Sequence, residues 1–141
     1  CGAGSISLFL AQKAKFVYGF DIIVSSIENA EQNAIINKIE NIDFNVANLD
    51  SYFQRHKSNK YPNPDIVIVD PPRAGMHKKM TEYLPGLGAK KIIYVSCNPS
   101  TQARDTQILQ SLNYELNKLS VVDMFPHTPH VETVGIFEKS K

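Results

Sequence analysis

Two short, uninterrupted apolar runs, each ending in polar residues, constrain the fold of this chain most strongly. Ile66-Val67-Ile68-Val69 stops at Asp70-Pro71-Pro72, and Ile92-Ile93-Tyr94-Val95 stops at Ser96-Cys97-Asn98-Pro99. Runs of this kind without polar alternation are typical of strands in a parallel sheet that is covered on both faces. They are far shorter than the run of about 20 apolar residues that a membrane helix needs. We therefore predict two central strands of a parallel sheet and no membrane insertion.

Helical and strand patterns alternate along the rest of the chain. The spacing predicts helices over 5–14, 23–34, 49–56, 76–84 and 101–112, and further strands over 16–20, 42–46, 114–122 and 131–137. The first helix is expected to bury Ile6, Phe9 and Leu10, which recur at helical spacing. The last two strands lack an intervening helix, which predicts an antiparallel end. This order predicts an α/β fold whose ligands lie beyond the carboxyl ends of the strands.

Composition adds bounds on size, partners and redox state. The 141 residues are 43% hydrophobic and 21% charged, which is sufficient for one domain over 1–141 with its own core. The net charge of +1 is no signature of a polyanion-binding protein. Cys1 and Cys97 lack CxxC spacing, so we expect free thiols in a reducing cytosol. The chain begins at Cys1 within a loop-like segment, and we expect it to be the C-terminal piece of a longer protein.

A glycine loop and a downstream carboxylate suggest a nucleoside ligand. Gly2 and Gly4 allow close approach of backbone N–H groups to a ligand, and Ser5 is a candidate N-cap for the helix that follows. Asp21, at the end of the next predicted strand, can accept the hydroxyls of a ribose or cap the next helix. The third glycine of a dinucleotide fingerprint is absent, which favours a cofactor without pyrophosphate, such as S-adenosylmethionine.

Polar turns follow both central strands. The prolines after Asp70 fix a rigid turn that can hold Asp70 and Arg73 over the cleft, or that simply ends the strand. Cys97 falls at a strand-to-helix turn, where a helix N-terminus favours a reactive thiolate. The alternative is an inert, buried cysteine.

The segment 126–132 combines two prolines with two histidines and a carboxylate. His127, His130 and Glu132 could ligate a metal, but their spacing is not that of a zinc site and no second ligand cluster exists. We therefore expect no metal. A rigid loop that presents Glu132 as a general base is the alternative.

Four motifs in a fixed order carry a family resemblance: CGAGS, DPPRAG, SCNPST and PHTPHVE. With this spacing, nearly the whole chain resembles the S-adenosylmethionine-dependent RNA uracil-5-methyltransferases, which form 5-methyluridine in tRNA or rRNA. The resemblance implies a Rossmann-like class I methyltransferase fold with a mostly parallel sheet, an antiparallel C-terminal strand and a first strand missing from this chain. It also implies an RNA partner, an RNA-binding module in an upstream part and a cytoplasmic location.

The same resemblance assigns roles to individual residues. Cys97 matches the nucleophile that adds to carbon-6 of uracil, and Glu132 matches the base that removes the carbon-5 proton. Asp70 matches the residue that binds the polar edge of a flipped uracil, with Arg73 as electrostatic support. The cofactor-binding residues implied are Gly2 and Gly4 at the methionine part, Asp21 at the ribose, Asn48 near adenine, and Asp70.

Two other functions stay open at this point. The first is an S-adenosylmethionine-dependent methyltransferase that acts on an exocyclic amine or a protein, for which the turn at Asp70 could serve without any thiol. The second is a non-catalytic nucleotide-binding or assembly domain, which the neutral charge would suit. The role of Cys97 in methyl transfer separates the first of these from a uracil-5-methyltransferase.

Overall fold

A computed structural model of the chain describes residues 1–47, 61–124, 126–128 and 130–140. The predicted helix over 49–56 and the predicted adenine contact Asn48 lie outside the described residues. The chain divides into two compact units, residues 1–60 and residues 61–141. Each unit has its own sheet and is described by itself.

Over its described residues, 1–47, the first unit contains two parallel strands and two helices. In chain order they are α1 (Ser5–Ala11), β1 (Val17–Asp21), α2 (Val24–Ile36) and β2 (Ile42–Val46). Strand β1 pairs with β2 in parallel, from Val17 opposite Ile42 to Asp21 opposite Val46. The buried core comprises Ile27, Ala30, Ala34 and Phe44. Ile23, Ile27, Ala30 and Ala34 recur at helical spacing in the sequence. The last three form the buried face of α2, whereas Ile23 is its N-cap and is 54% exposed.

Helix α1 differs from the prediction in its cap and its buried face. Gly4, with φ of 86°, is the N-cap, and no side chain caps the helix, so the assignment of Ser5 as N-cap is wrong. Phe9 is 62% exposed, whereas Ser7 and Ala11 are buried. The chain enters the helix so close to the core that a Cβ on Gly4 would lie 2.9 Å from Phe44 Cζ. This left-handed entry next to the core therefore requires glycine at position 4.

The second unit is built on a four-stranded mixed sheet. Its elements are β3 (Ile66–Val69), α3 (Lys78–Tyr83), a 3₁₀ turn (Leu84–Leu87), β4 (Lys91–Ser96), α4 (Pro99–Ser111), β5 (Tyr114–Val122) and β6 (Glu132–Lys139). The strand order is β3-β4-β6-β5. Strand β3 is parallel to β4, and the C-terminal strand β6 is antiparallel to both β4 and β5. The α/β class and the antiparallel C-terminal strand are confirmed.

The two apolar runs occupy different positions in this sheet. Strand β4 is central, with Ile92 and Tyr94 fully buried, as predicted. Strand β3 lies at an edge, where it pairs only with β4 among the described residues, and Ile66 is 49% exposed. The prediction of a central position for the first run is therefore wrong. A run of four apolar residues indicates that a strand is at least partly buried. It does not indicate which strands pair with it.

The core of the second unit surrounds β4, and its largest fully buried side chains are Tyr94, Tyr114, Phe137, Ile92 and Leu109. The hydroxyl of Tyr114 donates to the Ala89 carbonyl, which satisfies a buried polar group. Both cysteines are free thiols. Within the described residues, no helix combines the length and the apolar character that a bilayer crossing requires.

Candidate active site

The polar residues predicted to follow the strands meet at one end of the four-stranded sheet. Asp70 directly follows β3 and Cys97 directly follows β4, and the parallel pairing of these strands brings the two ends side by side. Glu132 is the first residue of β6, which enters the sheet antiparallel to β4. The structure thus brings Asp70, Cys97 and Glu132 to the same edge.

Cys97 and Glu132 lie beside the last residue pair between β4 and β6. This pair is Ser96 with Thr133, and both of these side chains are buried. Cys97 directly follows Ser96 and Glu132 directly precedes Thr133, and both residues are half-buried. The pairing therefore places the thiol and the carboxylate at the same end of these two strands.

Hydrogen bonds on both sides fix the backbone around Cys97. The Ser96 hydroxyl donates to the Asn98 carbonyl and accepts its N–H, both at 3.1 Å. The Thr133 hydroxyl donates to the Ser96 carbonyl at 3.2 Å. The Asn98 side chain accepts the Ser100 N–H at 3.1 Å and caps α4. The thiol therefore sits on a rigid turn at the start of a helix while remaining partly exposed.

The turn that carries Arg73 is held from two sides. The Arg73 carbonyl accepts the Asn98 amide at 3.1 Å and lies 3.2 Å from the Thr101 hydroxyl, which shares its one proton with the Asn98 carbonyl at 3.0 Å. The Arg73 guanidinium lies 3.2 Å from His130 Nδ1, measured from Nη2. A guanidinium only donates, so Nδ1 is the acceptor and the proton of the imidazole lies on Nε2. His130 thereby joins this turn to the segment that precedes β6.

Asp70 lies at the surface of this unit, with an exposed side chain. Protein atoms packed around the carboxyl group nevertheless remove part of its hydration, and this desolvation raises its pKa. A carboxyl group in this setting can accept a hydrogen bond when ionised and donate one when protonated. It is suited to bind a polar ligand edge that presents either a donor or an acceptor.

Gly2, Gly4 and Asp21 lie together in the first unit. Asp21 Oδ2 accepts the Gly2 N–H at 2.8 Å and the terminal ammonium of Cys1 at 2.9 Å, and Oδ1 accepts the Ile23 N–H at 3.0 Å. Burial alone would raise the pKa of this carboxyl, but the Ile23 and Gly2 N–H groups and the positive charge of that ammonium outweigh it and lower the pKa to about 2. Asp21 is therefore ionised, and it fastens the glycine loop to the end of β1.

The glycine loop also presents an open face. Gly2 has φ of 53°, and a Cβ built there would meet no protein atom within 4 Å. Asp21 Oδ1 accepts one of the two hydrogen bonds that a carboxylate oxygen can take. An accessible loop backbone beside an ionised carboxylate with acceptor capacity fits a ligand that carries hydroxyl groups. This is the chemistry predicted for Gly2 and Asp21, whereas Gly4 packs against the core.

The histidines do not gather with Glu132 as metal ligands. Among the described residues, no group of three or more histidine, cysteine, aspartate or glutamate side chains could hold a metal ion. His130 instead pairs with Arg73, a contact that the sequence analysis missed. The sequence shows Arg73 in one motif and His130 in another. Only the fold shows that the two side chains are in contact.

Sequence reasoning also missed the polar side chains on the buried face of α4. The residues of this helix that are buried are Gln102, Asp105 and Leu109. The apolar residues at helical spacing in this segment, Ile108 and Leu112, are only half-buried. Gln102, Asp105 and Leu109 follow one another at intervals of three and four residues, which is helical spacing. This spacing identifies the buried face only if a carboxylate is accepted as a buried residue.

Comparison with known sequences gives a consistent family. The sequence model of the family described as tRNA (uracil-5-)-methyltransferase matches residues 1–141. An uncharacterized RNA methyltransferase of Oceanobacillus iheyensis is 47% identical over 135 residues, which are 96% of this chain and 29% of that protein. Another from Clostridium acetobutylicum is 46% identical over 139 residues, which are 99% of this chain and 30% of that protein.

Solved structures agree with these sequence relatives. The Pyrococcus abyssi tRNA (uracil-54, C5)-methyltransferase, crystallised with S-adenosyl-L-homocysteine, is 38% identical with a TM-score of 0.79, over 96% of this chain and 32% of that chain. A Streptococcus thermophilus rRNA methylase at 14% identity and a TM-score of 0.70, over 99% of this chain and 82% of that chain, shares the fold alone. The chain has a Rossmann-like methyltransferase fold, and it spans about a third of the length of the relatives named first.

Proposed function

Because the chain belongs to the tRNA (uracil-5-)-methyltransferase family, we propose that residues 1–141 form the catalytic domain of an enzyme that methylates carbon-5 of a uridine in RNA. The methyl donor in this proposal is S-adenosylmethionine. The observation that carries the proposal is the pairing of β4 with β6, whose last pair, Ser96 with Thr133, has Cys97 and Glu132 as its immediate neighbours. A thiol beside a carboxylate at the end of a sheet supplies the two groups that methylation of an unreactive ring carbon requires.

The first requirement is activation of the ring, since carbon-5 of uracil is a weak nucleophile. Cys97, as the thiolate, adds to carbon-6 and forms a C–S bond, and the displaced electron pair makes carbon-5 enolate-like. Asp70 and Arg73 follow the adjacent strand and are proposed to bind the polar edge of the ring, where the enolate charge develops. The target base must leave its stack to enter such a site.

The second requirement is removal of a proton. Carbon-5 bonds to the donor's methyl group as the methyl–sulfur bond breaks, and the electron pair of that bond stays on sulfur, which leaves as a neutral thioether. Carbon-5 still carries its hydrogen, which Glu132 is proposed to take as the general base. The electrons of that C–H bond restore the double bond between carbon-5 and carbon-6, and the C–S bond breaks to return the Cys97 thiolate. One methyl group has then replaced one proton, which Glu132 releases to solvent.

The cofactor is assigned to the first unit. S-Adenosylmethionine, when bound, supplies an electrophilic methyl group on a sulfonium centre. Gly2 and Gly4 are proposed to form the loop beside its methionine part, and Asp21 Oδ1 to accept a ribose hydroxyl. Asn48 is proposed to contact adenine, and Asp70 to lie near the methyl donor. The open face at Gly2 and the S-adenosyl-L-homocysteine bound to the Pyrococcus abyssi enzyme support this assignment.

The RNA partner completes the proposal. A net charge of +1 gives these 141 residues little general attraction for a polyanion. We therefore propose that the choice of RNA depends on an RNA-binding module outside them, and that the enzyme acts in the cytoplasm. The chain matches about 30% of the length of its relatives, which leaves room for such a module.

The decisive test is covalent trapping with the full-length protein, meaning the complete gene product that contains these residues. It is incubated with S-adenosylmethionine and RNA containing 5-fluorouridine, whose fluorine cannot be removed as a proton. The proposal predicts a denaturation-stable adduct that mass spectrometry maps to Cys97. Cys97→Ala abolishes the adduct, while Cys1→Ala, which removes the other thiol, still forms it.

The contradicting result is methyl transfer to unmodified RNA, or to another acceptor, with no adduct and no sensitivity to Cys97→Ala. That result would favour a methyltransferase that acts without a cysteine nucleophile, for which Asp70 is the residue to test.

A further inference from the structure

Helix α4 carries four side chains that grip the turn after β3, and we call them the α4 clamp: Asn98, Thr101, Arg104 and Asp105. We propose that Asp105 is a positioning residue, which acts through the α4 clamp to set where Asp70 and Arg73 stand relative to Cys97. The inference rests on the proposed function, for which it names a residue that never touches the substrate.

Asp105 is fully buried, and both of its oxygens are used. Oδ2 accepts the Met76 N–H and the Tyr94 hydroxyl, each at 2.8 Å. Oδ1 accepts Arg104 Nε at 2.9 Å and Nη2 at 2.7 Å. The carboxylate therefore links three elements: the turn through Met76, strand β4 through Tyr94, and its own helix through Arg104.

Arg104 extends the grip along the turn. Its Nη2 also donates to the carbonyls of Ala74 at 3.1 Å and Met76 at 3.2 Å. Together with the Asn98 and Thr101 bonds to the preceding carbonyl, that of Arg73, the α4 clamp binds three carbonyls and one N–H of this short segment. The turn cannot shift without breaking several hydrogen bonds at once.

Gly75 gives an independent measure of how tightly the turn is held. It has φ of 80°, and a Cβ built there would lie 2.7 Å from Arg104 Nη2, 2.8 Å from Asp105 Oδ2 and 3.0 Å from Thr101 Cβ. Only glycine fits between the turn and the α4 clamp. The backbone at Gly75 therefore packs directly against the side chains of the α4 clamp.

The α4 clamp lies beside Cys97, which explains why its loss is expected to affect the reaction rate. Helix α4 begins two residues after Cys97, and Tyr94 belongs to the strand that ends beside it. The elements that fix the thiol therefore also fix the turn with Asp70 and Arg73. A buried carboxylate pays a desolvation penalty that apolar packing would avoid, so stability alone does not account for it. The hydrogen bonds of Asp105 do account for a defined distance between the turn with Asp70 and Arg73 and the turn with Cys97.

The first test is Asp105→Asn in the full-length protein. The amide keeps the shape, but in either orientation its NH₂ faces a donor, namely Arg104 or the Met76 N–H. We expect kcat for RNA methylation, and the rate of adduct formation with 5-fluorouridine RNA, to fall about 10- to 100-fold. The fall in kcat is expected to exceed any rise in KM for RNA, since the variant displaces reacting groups and leaves the RNA-contacting surface in place.

A second pair of variants keeps the inference testable if Asp105→Asn fails to fold. Thr101→Val removes the hydroxyl on the Arg73 carbonyl without changing shape, and it should also slow the reaction. Thr101→Ser retains the hydroxyl and should restore the rate. Tyr114→Phe is the matched control, because it removes a buried hydroxyl–carbonyl bond remote from the turn. It should lower the unfolding temperature and leave kcat unchanged.

The inference is overturned if Asp105→Asn and Thr101→Val lower only the unfolding temperature, as Tyr114→Phe does, and keep the wild-type kcat. That result would leave the proposed function intact, because the wild-type protein would still form the Cys97 adduct. Failure of the wild-type protein to form any adduct would overturn the proposed function and this inference with it.

Discussion

Gly75 occupies a backbone conformation that side chains rarely adopt, in a space that the α4 clamp already fills. Gly75→Ala should lower the free energy of unfolding by about 2 kcal/mol or more, since left-handed backbone alone costs a residue with a Cβ about 1 to 2 kcal/mol. Gly86→Ala is the matched control, because a Cβ there meets nothing within 4 Å and its φ is not positive. Urea denaturation of the two variants measures the difference, and equal losses would contradict this account of Gly75.

Asp21 should govern part of the acid sensitivity of the first unit. Its pKa is lowered from 3.8 to about 2, so its stabilising contribution is present above pH 4 and is lost as the pH falls towards 2. Asp21→Asn should lower stability at neutral pH and flatten its dependence between pH 4 and pH 2. Denaturation curves across that range test this, and parallel curves for variant and wild type would refute it.

The sequence identified most of the candidate reacting residues because their chemistry is local to short motifs. Cys97 and Glu132 could be named from the residues around them, but their location at the same end of the sheet depends on the pairing of β4 with β6. The contact between Arg73 and His130 spans 57 positions in the chain, and no local pattern predicts it. Asp105 was missed for a physical reason: a carboxylate is buried only when donors satisfy it, and those donors come from three separate elements.

At the scale of elements, the antiparallel pairing of β4 with β6 is the feature on which the site depends. The buried Thr133 hydroxyl reinforces this pairing at its end by donating to the Ser96 carbonyl. Thr133→Val keeps the shape and removes the donor, so we expect a loss of about 1 kcal/mol in the free energy of unfolding. Thr133→Ser keeps the donor and should retain more stability than the valine variant. The opposite order in chemical denaturation would count against a role for this bond.

Periodicity predicted the kind and order of the described elements, but not always their neighbours or faces. The run 66–69 and the run 92–95 look alike, yet within the described part of the chain β3 lies at an edge and β4 is central. Strand order is decided by pairing partners remote in sequence, which an apolar run does not encode. In α1 the apolar spacing did not identify the buried face, which carries Ser7 and Ala11.

At the scale of the whole molecule, two buried tyrosines should limit stability in alkali. Burial raises the pKa of Tyr114, and burial together with the hydrogen bond to Asp105 raises that of Tyr94. Both are neutral when folded, so the unfolded chain releases these protons first and stability should fall as the pH rises above 10. Tyr114→Phe should make that fall shallower. Denaturation between pH 9 and pH 11 measures it, and a fall of unchanged slope would contradict the prediction.

The residues with proposed roles are divided between the two units of the chain. The residues proposed to hold the cofactor, apart from Asp70, lie in 1–60, and those proposed to act on the uracil ring lie in 61–141. The central claim is that Cys97 and Glu132 act in sequence on one ring. Adduct formation and proton removal are separate steps, so a variant that blocks only the second step should trap the product of the first.

The measurement that tests this claim most directly uses Glu132→Gln in the full-length protein, with ordinary uridine RNA and S-adenosylmethionine labelled in its methyl group. The account predicts that the label accumulates in a protein–RNA adduct at Cys97, because methyl transfer proceeds and the carbon-5 proton stays. Glu138→Gln, an exposed carboxylate on the same strand that pairs with Lys91, should turn over normally. Normal turnover by Glu132→Gln, with no adduct at Cys97, would contradict the account.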